Sequence, residues 1–423
     1  MAKTHYDVCV IGGGPGGLAA AHGVKKAMPT ARIAVLERRR DLSTPMGAGI
    51  VCGVNGLRAI QALSPEAYGK MVEMETRKAS SRRTRIVDLE KGVDETKPGR
   101  AKFWEEREER FGLRPLSLPW WRLRDALALD LPEGVDLLPG LAVTGMEEHA
   151  DGGVELDVEG EDVLSADFVV GADGYFSRVR KHAVGDEEPT YAGTRIWRAL
   201  YDPQLDSGSC FTAHLLRGTN YNWLNYETGP GEACWVLSKT EADPRQRGGG
   251  ASIQAISGNA QEGARALAEV LDIMSDAPRE ARDIVKATAP ASVTTHGVYI
   301  RDPFRGKVWK PARGPFTLVG DAAHPMRPTG SGVNMAMEDA AELSSCVKTF
   351  GLSQRAFREY EERRIPRVQL VAQKSQHTAM QAYAETRDIP VEFDPLPNYL
   401  RVSNFSEDMP YDDWLCDITF DNN

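Results

Sequence analysis

The sequence of 423 residues contains no apolar run of membrane-spanning length, so we expect no transmembrane helix. Strand-like sequence begins within the first few residues, and we therefore expect no signal peptide. The six cysteines are widely spaced, with no C-x-x-C pair and no metal-ligand spacing, which indicates reduced thiols in a cytoplasmic protein without a metal site. Internal repeats and low-complexity segments are also absent. The formal net charge of −10 disfavours nucleic acid as a partner.

The composition is otherwise that of an ordinary globular protein, with 41% hydrophobic and 26% charged residues. The length suffices for two domains or for one domain with large insertions. Negative charge is concentrated in residues 385–423, where ten Asp and Glu stand against two Arg. The same segment carries six aromatic side chains, which a disordered tail would lack. We expect this acidic tail to pack over the body or over a partner subunit.

The first forty residues combine a strand, a glycine-rich turn, a helix and a second strand. The apolar segment Tyr6–Ile11 runs into G-x-G-x-x-G, whose glycines are Gly12, Gly14 and Gly17. In this fingerprint the first glycine makes the tight turn, the second admits a pyrophosphate, and the third allows helix–strand packing. Glu37 ends the second strand about 20 residues later, where a carboxylate accepts hydrogen bonds from a ribose. The combination predicts a dinucleotide site at the N-terminus of the helix.

Two later strands end in short polar turns of the same kind. Residues 167–170 lead into a glycine-flanked Asp173, and residues 316–319 lead into Asp321 ahead of a helix. Asp173 could equally cap the helix that follows it. His324 could be catalytic, but a structural role beside a cofactor loop is the simpler interpretation.

Three other segments allow two interpretations each. Arg38 begins a run of three arginines that could line a phosphate path or form a solvated turn. Residues 47–50 are small, which suits a backbone that passes close to a flat ligand but also suits a linker. A helix predicted over residues 118–131 presents Arg124 either to a cofactor phosphate or to water.

Residues 190–310 differ in composition from the preceding segments, because their predicted strands are rich in aromatic residues. Aromatic-rich strands predict an antiparallel sheet with one face toward a cavity, and the strands from Trp197 to Trp235 suit the wall of a dry pocket. No Arg, His or Tyr of this region is singled out by spacing, so the catalytic residues stay unassigned. The charged stretch at residues 91–110 is predicted to be an exposed excursion. Helices are predicted at the end of the body, one over residues 354–364 and a longer one to about residue 383.

With these motifs in family order, the sequence resembles the single-component FAD-dependent monooxygenases of the aromatic-hydroxylase type, the group A flavoprotein monooxygenases. The resemblance rests on the glycine loop with Glu37, on the turn around Asp173, and on the segment from Gly320 to Asn334. It extends from residue 1 to about residue 370, apart from the charged stretch. It implies an α/β fold with a Rossmann-like FAD-binding domain, an inserted antiparallel-sheet substrate domain and C-terminal helices.

The resemblance also implies roles for individual residues. Glu37 would bind the adenosine ribose of FAD, and Arg124 would contact its phosphate region. Asp321 would bind the flavin-side ribose or pyrophosphate, and Asp173 would serve both FAD binding and the docking of NAD(P)H. The residues expected to bind the cofactor are Gly12, Gly14, Pro15, Gly16, Gly17, Glu37, Arg38, Gly49, Arg124, Asp173, Gly320, Asp321, Pro328, Gly330, Gly332, Val333 and Asn334.

The implied reaction uses NADPH or NADH and O2 to hydroxylate or epoxidise an electron-rich aromatic or unsaturated small molecule through a flavin C4a-hydroperoxide. A single dinucleotide fingerprint suits a family in which the nicotinamide has no domain of its own. The protein would be a monomer or homodimer. The expected domains are an FAD-binding domain over 1–185 and 311–350, a substrate-binding sheet domain over 75–120 and 186–310, and C-terminal helices with the acidic tail over 351–423.

The sequence departs from the family pattern in two places. The loop at residues 328–332 is one residue shorter than the commonest form, with Ser331 where Gln is frequent, and neither the charged stretch nor the acidic tail has a clear counterpart. A flavin-dependent halogenase is an alternative, although its Trp-x-Trp-x-Ile-Pro signature is absent. Two further alternatives are a reductase of prenyl chains and a protein that binds FAD without catalysing a reaction.

Overall fold

The structure is a computed structural model that describes most of the chain. The described residues are 4–43, 47–74, 83–98, 101–149, 152–160, 163–186, 188–204, 211–229, 231–241 and 259–384, with Leu415, Ile418 and Phe420 near the C-terminus. Most of the acidic tail, and the cysteines at 210 and 416, lie outside this part of the chain. The four cysteines within it are buried and free. Among the described helices none is long and apolar enough to cross a membrane.

The described residues form both strands and helices, and in places up to four strands follow one another without a helix between them. The strands are β1 His5–Ile11, β2 Ile33–Glu37, β3 Gly49–Cys52, β4 Arg83–Asp88, β5 Val93–Pro98, β6 Leu116–Pro119, β7 Val135–Pro139, β8 Val143–Glu148, β9 Val154–Val158, β10 Leu164–Gly171, β11 Thr190–Tyr201, β12 Thr212–Arg217, β13 Tyr221–Gly229, β14 Glu232–Thr240, β15 Thr294–Ile300 and β16 Phe316–Leu318. The helices are α1 Pro15–Ala27, α2 Val54–Leu63, α3 Pro65–Glu73, α4 Ala101–Phe111, α5 Trp120–Leu129, α6 Arg178–Ala183, α7 Ala260–Ile273, α8 Arg279–Lys286, α9 Gly332–Phe350 and α10 Gln354–Ala384.

The first sheet has seven strands and a parallel core. β7, β2, β1 and β10 lie side by side in that order, and β16 also pairs with β10. β9 and β8 continue the sheet in antiparallel fashion. The central strands are apolar and buried, as expected for parallel strands covered by helices on both faces. The carboxyl ends of β1, β2, β10 and β16 therefore meet at one edge, where ligands bind in sheets of this kind.

The second sheet also has seven strands, in the order β15-β11-β14-β13-β12-β4-β5. Its pairings are antiparallel except that of β12 with β4, which is parallel. One face packs on α7 and α8 around three buried tryptophans, Trp197, Trp223 and Trp235. β4 and β5 form its outer edge, and β5 and α4 carry the charged stretch on mostly exposed positions. A small third sheet pairs β3 with β6.

α9 joins the helical layer to the first sheet. It packs against α1, and a Cβ on Gly23 of α1 would lie only 2.7 Å from the carbonyl oxygen of Ala340. The missing side chain of Gly23 thus allows the two helices to approach closely. On its other side α9 packs against α10.

Two predicted helices differ from the observed ones. The helix expected over residues 118–131 begins at Trp120, because residues through Pro119 are extended in β6 and pair with β3. A residue before proline is disfavoured in the helical region, which accounts for the later start. The two helices expected after residue 350 are one helix, α10, with Pro366 inside it. Arg364 and Arg367, on either side of Pro366, both bind Glu338 of α9, so the packing against α9 spans the proline.

Candidate cofactor and substrate site

The glycine turn after β1 leaves no room for side chains at two of its positions. Gly12 has a φ of +117°, and a Cβ there would lie 2.4 Å from the carbonyl oxygen of Ala172. A Cβ on Gly17 would lie 1.9 Å from the carbonyl oxygen of Gly12. Gly14 differs, because its nearest neighbour would be the Trp120 ring at 3.6 Å. The turn is therefore tight at both ends and has an accessible backbone in the middle.

Glu37 lies beside this turn at the end of β2. Its Oε2 accepts a hydrogen bond from the Gly13 amide at 2.9 Å, and its Oε1 accepts one from the Arg39 amide at 2.9 Å. A carboxylate has capacity for further donors beyond these two. The side chain is half-buried, whereas the neighbouring Arg38 is exposed. Glu37 is thus held in place and able to receive hydroxyl donors from a ligand.

Helices that begin near this edge lack side-chain caps. α1 follows Gly14, α2 follows Gly53 and α9 follows Ser331, and among the described residues none of these three N-cap residues caps its helix with a side-chain hydrogen bond. In contrast, Ser64 caps α3 and Ser177 caps α6. Uncapped amides at a helix N-terminus favour anionic or polar ligands. Pro15 and Gly16 begin α1, and Pro15 has no amide hydrogen to satisfy.

Asp173 caps the start of α6. Its Oδ1 accepts from the Ser177 hydroxyl at 2.5 Å, and its Oδ2 accepts from the amides of Arg178 and Val179 at 2.7 and 3.3 Å. Burial raises the pKa of Asp173, and these hydrogen bonds oppose the shift. The capping alternative therefore describes its observed contacts, and its expected role toward FAD and NAD(P)H stays a prediction.

The turn after β16 is held by a buried network. Gly320, with a φ of +59°, donates its amide to Asp339 Oδ2 at 2.9 Å. His324 Nε2 lies 2.5 Å from the same oxygen, and Arg364 Nε binds the other at 2.8 Å. His324 thus has the structural partner that its simpler interpretation requires. The Asp321 carboxylate accepts no hydrogen bond from the described residues, which leaves it available to a ligand.

Asn334 ties the loop before α9 to β3 and α2. Its Oδ1 accepts from the Gly53 amide at 2.8 Å, and its Nδ2 donates to the carbonyls of Val51 and Gly330 at 3.0 and 2.9 Å. The side chain therefore fixes the path of the loop. Other expected site residues there are exposed or half-buried: Pro328, Gly330, Gly332 and Val333.

Arg124 is buried on α5, so the interpretation that places it in water is wrong. Its guanidinium binds the carbonyl oxygen of Leu42 and, at 2.6 Å, the carboxylate of Asp125. The remaining Nη1 is buried without a hydrogen-bond partner in the described chain. Gly49 lies on the other side of the site, where a Cβ would clash with Thr228 at 2.3 Å.

The second sheet turns its other face toward these loops. Tyr226 donates its hydroxyl to the carbonyl oxygen of Gly49 at 2.8 Å, and Arg327 donates to Thr194 Oγ1 at 2.9 Å. Thr194 and Arg198 share this face of β11, whereas Trp197 points to α7 and α8. The strands expected to form the pocket wall thus present one face to these loops, whereas their tryptophans lie on the opposite face, because side chains alternate with a period of two along a strand.

Sequence reasoning did not single out Arg198, which lies in this interface. Burial, opposed by His324 and Arg198, raises the pKa of Asp321. The negative charge of Asp321 raises the pKa of Tyr175, which Arg198 opposes. Burial, and to a smaller extent the positive charge of Arg198, lowers the pKa of His296 to about 3. Arg198 thus lies close to Asp321 in the turn after β16 and to His296 on the neighbouring strand β15. The alternation of side chains along β11 separates its two faces in the sequence, but it does not indicate which face packs against the turns expected to bind FAD.

These features fit FAD. The accessible Gly14 backbone and the uncapped start of α1 suit a pyrophosphate, and Glu37 suits a ribose. The unpartnered Arg124 Nη1 suits a phosphate oxygen, and the Asp321 carboxylate suits hydroxyl donors.

Comparisons with known proteins point the same way. An FAD binding domain model matches residues 303–375. The 3-amino-4-hydroxybenzoate 2-monooxygenase of Streptomyces cremeus is 29% identical over 385 residues, covering 90% of this chain and 88% of that protein. The FAD-dependent urate hydroxylase of Klebsiella oxytoca is 27% identical over 367 residues, covering 85% and 86%. The predicted resemblance to single-component FAD-dependent monooxygenases is confirmed.

Solved structures share the fold as well. HpxO of Klebsiella pneumoniae, solved with FAD and uric acid, superposes with a TM-score of 0.70 at 21% identity, over 98% of this chain and 93% of that one. The R204Q variant of HpxO with FAD gives 0.71 at 23% identity, over 90% and 91%. The predicted α/β fold, with its Rossmann-like part, its antiparallel sheet and its C-terminal helical segment, is confirmed.

Proposed function

We propose that this FAD-dependent monooxygenase uses NADPH or NADH and O2 to insert one oxygen atom into an electron-rich aromatic or unsaturated small molecule. The observation that carries the proposal is that the glycine turn with Glu37 after β1 and β2 and Asp321 after β16 lie at the same edge of the first sheet, with the buried Arg124 Nη1 on α5 unpartnered in the described chain. Relatives named for oxygenation of 3-amino-4-hydroxybenzoate, 6-hydroxynicotinate and urate support the substrate class. In the net reaction, NAD(P)H, a proton, O2 and substrate give NAD(P)⁺, water and oxygenated product.

The residues of the chain bind and orient the cofactor. Glu37 accepts hydroxyls of the adenosine ribose, and the first-turn amides of α1 bind the pyrophosphate. Arg124 Nη1 donates to a phosphate oxygen, and Asp321 accepts hydroxyls on the flavin side. The backbone around Gly330 and Asn334 would hold the isoalloxazine. We assign the FAD-binding domain to residues 1–185 and 311–350, and the substrate-binding domain to residues 75–120 and 186–310.

When bound, FAD would supply the redox chemistry, in which reducing equivalents from NAD(P)H activate O2 for oxygen transfer to the substrate. The protein positions the substrate and excludes water from it. The bonds from Tyr226 to Gly49 and from Arg327 to Thr194 join the second sheet to β3 and to the loop between β16 and α9. They keep the substrate face of the second sheet against the cofactor loops.

The test is anaerobic mixing of the purified yellow protein with NADPH or NADH, followed by air. We expect bleaching that is faster with an aromatic ligand, and then product formation with O2 uptake. Protein that stays yellow with either nicotinamide and every aromatic ligand tried would contradict the proposal and favour a non-catalytic FAD-binding protein. Bleaching without oxygenated product would favour another flavin oxidoreductase.

A further inference from the structure

Arg198 differs from the other arginine of its strand in having no counter-ion. Arg195 binds both carboxylate oxygens of Glu269 at 2.9 and 3.2 Å, on the face covered by α7. Arg198 forms no ion pair in the described part of the chain. Its single hydrogen bond there runs from Nε to Thr294 Oγ1, at a long 3.4 Å. Both terminal nitrogens of its guanidinium are therefore free of partners among the described residues.

The position of this guanidinium is internal. Arg198 is half-buried between β14 and β15, on the face that meets the cofactor loops. Placing a charged group in such an interface without a paired carboxylate costs free energy. Asp321 is near enough to interact electrostatically, yet the two do not form an ion pair. A positive charge thus faces the site, and the described residues leave both of its terminal nitrogens without a partner.

The surroundings of Arg198 add neutral polar groups. His296 lies on the same face of β15, and its Nδ1 is buried without a hydrogen-bond partner in the described chain. Burial and Arg198 hold the pKa of His296 near 3, so the imidazole is neutral at pH 7. Cys234 is buried on the adjacent strand β14, and its partner Tyr226 on β13 is half-buried; burial raises the pKa of both side chains. Arg198 is therefore the one cation of this group.

We propose that Arg198 binds a carboxylate of the substrate through its two terminal nitrogens, with His296 Nδ1 hydrogen-bonding a polar substituent on the same ring. The planar fork of an arginine matches a carboxylate in a bidentate way. The substrates of the proposed monooxygenase are accordingly aromatic carboxylates. This inference rests on the proposed function and narrows its substrate class.

The competing explanation is that Arg198 only offsets the charge of Asp321. That explanation predicts weaker FAD binding in Arg198 variants, with no effect on the choice between charged and neutral ligands. Carboxylate binding predicts the reverse pattern. The two are separated by measuring FAD affinity and ligand preference on the same variants.

The experiment compares matched ligands on the FAD-loaded protein. The probes are hydroxy- and aminobenzoates, including 3-amino-4-hydroxybenzoate, 6-hydroxynicotinate, and the carboxamide of each. Binding is measured from the change in flavin absorbance, and NAD(P)H oxidation is measured in parallel. For the wild type we expect carboxylates to bind at least tenfold more tightly than their amides. Arg198→Gln should weaken carboxylate binding about ten- to a hundredfold and leave amide binding unchanged.

Two further variants complete the test. Arg195→Gln, on the same strand but the opposite face, is the matched control and should keep the carboxylate preference. Arg198→Lys retains the charge without the fork, so it should keep part of the preference and serves if Arg198→Gln fails to fold. Amides that bind as well as carboxylates, a panel without any bound carboxylate, or an effect of Arg198→Gln on FAD alone would overturn the inference. Ligand-stimulated NAD(P)H oxidation with oxygenated product from neutral ligands would still uphold the proposed function.

Discussion

Arg180 donates a hydrogen bond from Nη1 to the carbonyl oxygen of Ala322 at 3.2 Å, which joins α6 to the turn that carries Asp321. The same nitrogen contacts the carbonyl of Ala323, and Nη2 binds the carbonyl of Val308 at 3.0 Å. Asp186 balances the charge at 2.8 Å. The helix that follows the turn around Asp173 is therefore linked to the turn at Asp321 by a buried arginine, independently of any direct contact of Asp173 with a ligand.

We expect Arg180→Gln to destabilise the protein and to loosen the turn at Asp321. Removing one partner of a buried ion pair costs about 3–5 kcal/mol. FAD content after purification should fall together with the midpoint of urea unfolding. Arg178→Gln, at the exposed neighbouring position, is the control and should change neither. An Arg180→Gln protein with wild-type stability and full flavin would contradict this role.

Glu37→Ala should weaken FAD binding while the fold stays intact. A hydrogen bond to a charged group contributes roughly 1.5–3 kcal/mol, so affinity should fall about tenfold to a hundredfold. Glu37→Gln retains an acceptor and should lose less. The measurement is the dissociation constant of FAD from fluorescence, with Glu147→Ala on the exposed part of β8 as control. Full flavin retention by Glu37→Ala after dialysis would rule out the ribose assignment.

Asp321→Ala removes the acceptor while leaving β16 unchanged. We expect mostly apo protein, with residual flavin that is reduced slowly and releases H2O2 in place of product. Asp321→Asn should be milder, because the amide oxygen still accepts hydrogen bonds. FAD content and the ratio of product to NAD(P)H consumed are the measurements. Stoichiometric FAD with coupled turnover in Asp321→Ala would mean that the turn after β16 does not contact the cofactor.

The end of the chain contacts the body at three described residues. Arg58 donates to the carbonyl of Ile418 at 2.9 Å, and Arg367 donates to that of Leu415 at 3.0 Å. Leu415 and Phe420 pack against the main core. These contacts agree with the sequence-based expectation for a tail that carries aromatic side chains, although most of the tail lies outside the described residues.

Deleting the chain after Ala384 should therefore lower stability, by about 2 kcal/mol for partly buried side chains of this size. Thermal unfolding of the FAD-loaded protein measures the effect. Arg58→Ala should reproduce part of the loss and speed proteolysis near the C-terminus, whereas Arg358→Ala on the exposed side of α10 should not. Equal unfolding temperatures for the full and shortened chains would contradict the packing role.

The sequence predicted the local structure on which the candidate site is built. Gly12, Gly17 and Glu37 follow from the spacing of a strand, a turn and a helix, and Asp321 follows from a strand end. These signals are local because sterics and helix termini act within a few residues.

The parts that depend on tertiary packing could not be predicted. Arg124 sits on a helix whose pattern does not reveal that Leu42 and Asp125 cover it. Alternation along β11 separates Arg195 from Arg198, but only the packing of α7 shows which face is free for a ligand. The parallel pairing of β12 with β4 joins segments more than a hundred residues apart, which no local pattern indicates.

Glu361 should make the stability of the protein depend on pH. It is buried on α10, where it accepts from Thr317 Oγ1 at 2.8 Å and from the Ala312 amide. Burial, opposed by these hydrogen bonds, raises the pKa of Glu361 from about 4.5 to about 8. The folded protein thus holds a proton that the unfolded chain releases. Its contribution to stability is complete below about pH 4.5 and declines as the pH rises toward 8.

Glu361→Gln removes this titration, because the amide stays neutral at every pH. Each unit of pKa difference corresponds to about 1.4 kcal/mol, so the variant should exceed the wild type by a few kcal/mol at pH 8. The difference in unfolding free energy between variant and wild type should shrink as the pH is lowered to about 5. Urea unfolding at both pH values measures it, and Glu362→Gln at the exposed neighbouring position is the control. If the difference between wild type and Glu361→Gln is the same at both pH values, the Glu361 carboxyl does not titrate in this window, and its burial must be balanced by the bonds to Thr317 and Ala312.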